Sequence, residues 1–496
     1  MTAAAWSAVG CWSEVGARKT ANQFHQHAAL ECRWIGRMSL PTSTSPLFDP
    51  ALSDVGAELI ARDVSLRTTD LALKPDAQAR ASAVSLVQDR ANVRPDHVLR
   101  HWALDPALTF LNHGSYGATP RAALRHQQSL RDRMERDPVR LFKSDLENLM
   151  DGAREKLAAF INVNPADLAP IRNATYALCT ILQANIRAGL LKAGDEVLVT
   201  DHEYGSLSNE LERLEAEHGI VTVKAKIPYP CPSPSLVIEK FMGAVTKKTR
   251  LAIISHITST SAMIFPVAPI IRDLQAKGID VLLDGAHSPG QIPTDVRALA
   301  PTYFLGSGHK WLSGPKGSAF MYVRPDRQSI FRPLALSGRA NKIRPERALF
   351  LRDFDYQGTD DYSAFLSLPV AIEALGTILP GGWPALIRAN HEMILKGRDV
   401  LCNALALEPP TPDSMVGSMV TLRIPEPPEH LKSRKTCYDD ALQDILYEKY
   451  RIVVPIWRLS CNDQRIVRIS AQVYNTLGEY EYLASALKTE LANEWR

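Results

Sequence analysis

Between residues 196 and 323 short apolar runs alternate with amphipathic stretches, and this alternation constrains the fold more than any other feature. Glu196 to Thr200, Val221 to Ile227, Leu251 to His256, Val281 to Asp284, Thr302 to Leu305 and Ala319 to Val323 read as strands. Leu207 to His218 and Val267 to Lys277 read as helices between them. Strands that take turns with helices predict an α/β domain with a mainly parallel sheet and helices on both faces. In such sheets ligands sit beyond the carboxyl ends of the strands. Polar clusters follow several of these strands, which predicts one site assembled from several strand ends.

Outside this region the pattern changes. Arg121 to Arg136 and Lys143 to Phe160 have helical periodicity. Beyond Pro369, helical stretches (Val370 to Ile378, Trp383 to Ala404) precede short strands at Met419 to Ile424, Arg451 to Pro455 and Ile466 to Ile469, and Tyr480 to Asn493 reads as a closing helix. The expected organisation is an N-terminal extension over 1–98, largely disordered, a large domain over 99–368, and a smaller α+β domain over 369–496. Ala51 to Arg62 and Ala79 to Arg90 are candidate short helices within the extension. Residues 1–37 carry four basic residues, Arg18, Lys19, Arg33 and Arg37, against Glu14 and Glu31. That leaves three readings open: a transit peptide, a disordered extension, or a start at Met38.

With 57 basic and 54 acidic residues the formal net charge is +3. This balance gives no reason to expect nucleic acid or an anionic membrane as partner. Seven cysteines, widely spaced and with no Cys-x-x-Cys, argue against a disulfide framework or a structural metal site. They fit a reducing, cytoplasmic setting, with mitochondrial targeting by the extension left open. The longest apolar stretch, Leu251 to Ile271, is broken by Ser255, His256 and Thr258 to Ser261. It reads as a strand, a loop and a helix start, not as a membrane span.

Two segments carry chemistry. Leu282-Leu283-Asp284-Gly285-Ala286-His287 places a carboxylate at a strand end, followed by small residues that let a flat ligand approach the backbone. Gly306-Ser307-Gly308-His309-Lys310-Trp311 follows the next strand, with Ser307 and His309 as donors for a phosphate. It also offers in Lys310 an amine whose pKa burial would lower. Separately these are a turn-forming Asp and a solvated Lys; together, with one strand between them, they match a pyridoxal phosphate site. There a lysine holds the cofactor as a Schiff base and an aspartate pairs with the pyridine nitrogen.

The segments Leu111-Asn112-His113-Gly114-Ser115-Tyr116-Gly117, Asp284-Gly285-Ala286-His287, Gly308-His309-Lys310-Trp311 and Gly314-Pro315-Lys316-Gly317 resemble class V aminotransferases. Together with Arg468-Ile469-Ser470-Ala471 and Tyr474-Asn475 they are most similar to the isopenicillin N epimerase-like branch. The resemblance covers roughly residues 100 to 490. It implies the fold type I of pyridoxal phosphate enzymes, pyridoxal 5'-phosphate as cofactor and an amino-acid-type substrate. It places Asn173, Ala174 and Thr175, at a helix start, on the phosphate, as helix N-terminal amides suit. His202 falls where relatives stack a ring on the pyridine, with Tyr204 as rival.

Further roles follow from the same resemblance. Asp284 would hold the ring nitrogen protonated, His287 would approach the ring hydroxyl, and Ser307 and His309 would complete the phosphate cradle. Gly358-Thr359 falls on a segment that relatives extend into a neighbouring subunit's phosphate site, implying a homodimer. Arg468 would grip the substrate α-carboxylate bidentately, and Asn112, Ser115 and Tyr116 would form a loop touching the substrate. The chemistry after α-proton removal stays open between epimerase, C–S lyase and aminotransferase, and a non-catalytic cofactor-binding scaffold is the alternative of a different kind. A desulfurase needs a mobile cysteine ahead of the carboxylate arginine. Cys461 lies closer to Arg468 than in the desulfurases this chain resembles, which ranks persulfide chemistry below the others.

Overall fold

The computed structural model describes residues 96–495. The candidate helices at 51–62 and 79–90, and the extension up to residue 95, lie outside the described residues. The strands, in chain order, are β1 (Thr109–Phe110), β2 (Leu168–Ile171), β3 (Glu196–Thr200), β4 (Val221–Ala225), β5 (Thr249–Ser255) and β6 (Asp280–Gly285). After them come β7 (Tyr303–Ser307), β8 (Ala319–Val323), β9 (Met419–Arg423), β10 (Ile452–Val453), β11 (Ile456–Arg458) and β12 (Arg465–Ser470).

Seven strands form one sheet in the order β2-β8-β7-β6-β5-β3-β4. The five from β4 to β7 run parallel, whereas β8 is antiparallel to both β7 and β2. The reversal has a simple cause: the linker 308–318 is too short for a helical crossover, which takes about a dozen residues or more. The edge strand β2 holds Pro170, which has no N–H to donate and is tolerated at an edge.

Alternate residues of each central strand feed different cores. Ala252, Ile254, Val281, Leu283 and Phe304 pack with the helices Leu146–Ile161 and Val267–Gln275. Leu251, Ile253, Leu282, Tyr303 and Leu305 pack with Ala174–Arg187 and Gly205–His218 on the other face. This is why the strands read as continuous apolar runs: both faces are covered. The expected helix over 143–160 begins at Leu146, after a π-helical turn over Leu141–Asp145.

A second, three-stranded antiparallel sheet, β11-β12-β9, packs with the helices Gly382–Leu405, Ala441–Tyr450 and Leu477–Asn493. The two-residue β1 pairs in parallel with β10, so the chain just before the Asn112 loop is anchored to this C-terminal region. Among the described residues no helix is long and apolar enough to cross a membrane.

The second sheet is held at one end of its central strand by a buried ion cluster. Arg465, fully buried on β12, pairs with Asp440 at 2.6 Å and Glu494 at 2.7 Å. It also donates to the Pro425 carbonyl. Removing one partner of a buried cluster strands the charges of the others. Arg465→Met is therefore expected to lower unfolding free energy by about 3–5 kcal/mol in urea titration. A loss below about 1 kcal/mol, typical of exposed pairs, would show that both carboxylates regain solvent.

Candidate active site

The carboxyl ends of β3, β5, β6 and β7 open onto a cavity of about 870 Å³ whose lining includes Ser255, Asp284, Ser307 and Lys310. Asp284 is brought there by register: on adjacent parallel strands it lies beside Ser255 on β5 and Leu305 on β7. Its Oδ1 accepts the Ala286 amide at 2.8 Å. Burial pushes the Asp284 carboxyl up from its ordinary value, against the downward pull of that amide and of the nearby Lys310 charge.

Lys310 sits on the turn after β7, with Nζ 2.8 Å from His287 Nε2. Burial lowers the amine to about 8, helped by the Arg468 charge and opposed by Asp284. The neutral amine is therefore accessible near physiological pH. Burial and the lysine charge hold His287 well below its ordinary value, so it is a neutral imidazole; Trp311 Nε1 donates to its Nδ1 at 3.4 Å, which leaves Nε2 as the donor toward the Lys310 amine.

Two buried polar atoms in the lining residues, Ser307 Oγ and His309 Nδ1, have no hydrogen-bond partner within the protein. Buried polar atoms are nearly always paired, so two adjacent orphans point to a ligand with acceptor oxygens. The helix Ala174–Arg187 begins at the same cavity: Asn173 caps it by accepting the Tyr176 amide at 3.0 Å, and Ala174 and Thr175 line the wall. A helix N-terminus beside the unpaired Ser307 and His309 makes a cradle for an anion such as a phosphate.

Arg468 closes the opposite side. It is buried on β12, donates to the Ser259 carbonyl at 2.6 Å and to Ser115 Oγ at 2.7 Å, and stacks at 4.8 Å on the Trp457 ring. Burial lowers it to about 10, so it keeps its charge at neutral pH. Among the described residues no carboxylate pairs with it, and its Nε is unpartnered. A buried guanidinium without an anion suits a carboxylate ligand. Asn112, Ser115 and Tyr116 line the cavity beside it.

The loop 112–117 lies directly on the Lys310 turn. A Cβ at Gly117 would run into the carbonyls of Lys310 and His309. His113 Nε2 approaches the Lys310 carbonyl at 3.1 Å, and its Nδ1 pairs with Tyr474 Oη at 2.8 Å. His113 thus ties this loop to the lysine turn and to the C-terminal segment.

Two expectations need correction. His202 does not line the cavity: its ring nitrogens bond to Ser261 Oγ and the Ile227 carbonyl, each at 2.8 Å, and Tyr229 and Phe265 pack around it. Its rival Tyr204 is the ring at the wall, with its centroid 6.0 Å from Lys310 Nζ. Thr359, which the resemblance assigns to a neighbouring subunit's phosphate site, lines a separate groove with Phe142, Arg339 and Tyr356. Gly285, read as room for a flat ligand, is instead set by core packing, as is Gly306, read as allowing tight backbone geometry. A Cβ at Gly285 would collide with the Phe304 ring and one at Gly306 with Phe320. Ser255, Trp457 and Lys316 also line the cavity and were missed. For Ser255 the available signal was its place at a strand end.

Residues 125–379 match the family model described as aminotransferase class-V, a span that holds Asp284 and Lys310 and ends before Arg468. The chain is 32% identical over 398 residues to an isopenicillin N epimerase of Amycolatopsis lactamdurans, covering 78% of this chain and 96% of that protein. It is 28% identical to an L-cysteine desulfhydrase of Arabidopsis thaliana, covering 77% of this chain and 88% of the relative. In fold it is similar to a cysteine desulfurase of Thermococcus onnurineus, with a TM-score of 0.64 at 17% identity over 81% of this chain and 98% of the other. With its family match covering both Asp284 and Lys310 and its strand ends converging on them, this chain belongs to the class-V aminotransferase family.

Proposed function

We propose that the chain is a pyridoxal 5'-phosphate enzyme acting at the α-carbon of an amino acid, of the isopenicillin N epimerase type. The observation that carries this reading is the convergence in one cavity of an activated amine, a buried carboxylate, a phosphate cradle with unpaired donors, and an unpaired guanidinium. Pyridoxal phosphate held here would supply an electron sink that makes a proton on the α-carbon of a bound amino acid removable.

The residues divide the remaining work. Ser307, His309 and the first turn at Asn173-Ala174-Thr175 hold the phosphate. Tyr204 supports the ring face, His287 approaches the ring hydroxyl, and Asp284 holds a proton on the ring nitrogen, since an adjacent carboxylate stabilises a cation. Lys310 anchors the cofactor and, once its amine is free, takes the α-proton as general base. Arg468 fixes the substrate carboxylate, and the Asn112–Tyr116 loop bounds the substrate. Thr359, in a groove separate from this cavity, fits a reading in which it serves the phosphate site of a second copy in a homodimer.

A second reading is C–S elimination from a cysteine derivative, supported by the desulfhydrase relative and by its need for the same lysine and arginine. Persulfide transfer is disfavoured by Cys461, which is half-buried against the core and outside the cavity, its thiol pushed up to about 11 by burial. One panel of amino acids and cysteine conjugates tests the choice. Exchange at the α-carbon with loss of optical rotation supports epimerisation. Pyruvate released with a sulfur product and no inversion supports elimination and overturns the epimerase reading. A keto acid formed only with an added amino acceptor means transamination.

A further inference from the structure

Behind Asp284 lies a second buried carboxylate that the proposed chemistry leaves unused. Glu203 follows β3 and is buried. Thr200 Oγ1 donates to its Oε1 at 2.7 Å, and Ser255 Oγ lies 2.6 Å from its Oε2. Ser255 ends β5, in register with Asp284 on β6, and both line the cavity. The His256 amide, next along, donates to the Asp284 carbonyl at 2.9 Å. Ser255 is thus bonded to the enclosed acid and is the register neighbour of Asp284 on the adjacent parallel strand.

We propose that Glu203 is a positioning residue for this site: through Ser255 it sets the hydrogen-bond state of Asp284, and with it the charge that Asp284 presents to the cofactor ring. The inference rests on the reading of the cavity as a pyridoxal phosphate site.

The chemistry is that of two buried carboxylates that cannot both ionise cheaply. Burial, with the Asp284 charge adding to it, pushes Glu203 up to about 7, while its bonds to Ser255 and Thr200 pull down. Asp284 acts on it from β6, with Lys310 near Asp284; His202 precedes Glu203 in the chain and His256 follows Ser255. Both histidines are held low by burial and stay neutral. Glu203 is therefore mostly protonated below about pH 7 and mostly ionised above it. A protonated Glu203 donates from Oε2 to Ser255 Oγ, which frees the serine hydroxyl hydrogen to turn toward Asp284. An ionised Glu203 instead takes that hydrogen from Ser255, so the serine has only a lone pair to offer. One proton thereby changes what Asp284 meets.

The test follows the absorbance of pyridoxal phosphate bound to the full chain from pH 6 to 9, in the wild type, Glu203→Gln and Ser255→Ala. Glutamine keeps the shape and a donor but cannot ionise. Its curve is expected to match the wild type below pH 7 and to depart from it above. Ser255→Ala, which cuts the link, is expected to move the band's transition by about one pH unit. A structural role alone would lower melting temperature and leave the transition in place. If both variants titrate as the wild type does, the proposal is overturned while the cofactor reading stands. If the wild type takes up no cofactor, that reading fails and the proposal falls with it.

Discussion

Lys310→Ala is expected to leave a folded protein that binds pyridoxal phosphate without covalent attachment and turns over at least about a thousandfold more slowly, within the range for loss of a positioned acid–base group. The lysine is suited to both its tasks by burial, which brings its amine to about 8, and by His287 at 2.8 Å. Below pH 8 the ammonium form predominates and cannot attack an aldehyde. Cofactor uptake by the wild-type protein should accordingly accelerate as pH rises through about 8 and level off above it. The same shift bears on stability. The unfolded lysine titrates near its ordinary value of 10.5, so the buried ammonium weakens the cofactor-free fold most below pH 8, and that cost fades as pH rises from 8 toward 10.5. The alanine variant escapes the cost and should fold at least as well. Borohydride reduction and peptide mapping of the wild type should place the label on Lys310. The nearest competitor, Lys316, is committed to the Gly117 carbonyl at 2.6 Å, and a label there would overturn the assignment.

How far the site was legible depends on which physical signal each part carried. Asp284 and Lys310 could be found because each ends or follows a strand buried on both faces, where an apolar run stops at a polar residue. Arg468 could be placed only through resemblance. Its stacking on Trp457 and its bond to the Ser259 carbonyl come from segments far apart in the chain. His202 and Tyr204 show the limit of reading a short polar turn: both are aromatic and two positions apart. Which one faces the cavity is decided by Ser261 and the Ile227 carbonyl, which capture the histidine. Gly285 invited a ligand explanation, yet the Phe304 ring already requires it, as Phe320 requires Gly306. In the fold, the parallel strands were clear, but β2 escaped notice because Pro170 argues against a strand unless its edge position is known.

Asp284→Asn should leave the cofactor bound through its phosphate and Lys310, yet slow exchange of the substrate α-proton with solvent deuterium by about 10²–10³-fold or more, the scale for losing one preorganised electrostatic group. Asparagine is nearly isosteric and can still accept the Ala286 amide, which Asp284 Oδ1 does at 2.8 Å, so the strand end should keep its shape. What it cannot supply is a full negative charge beside the ring nitrogen. Without that charge the nitrogen loses its proton at neutral pH and withdraws fewer electrons from the α-carbon. The loss is large because the site is enclosed: burial already raises the Asp284 carboxyl, so little solvent screens the pair it makes with a cation. Deuterium exchange reports the proton-removal step whatever reaction follows, so epimerase and lyase readings predict the same result. An exchange rate equal to that of the wild type would show that Asp284 does not carry the ring charge, whichever products the enzyme makes.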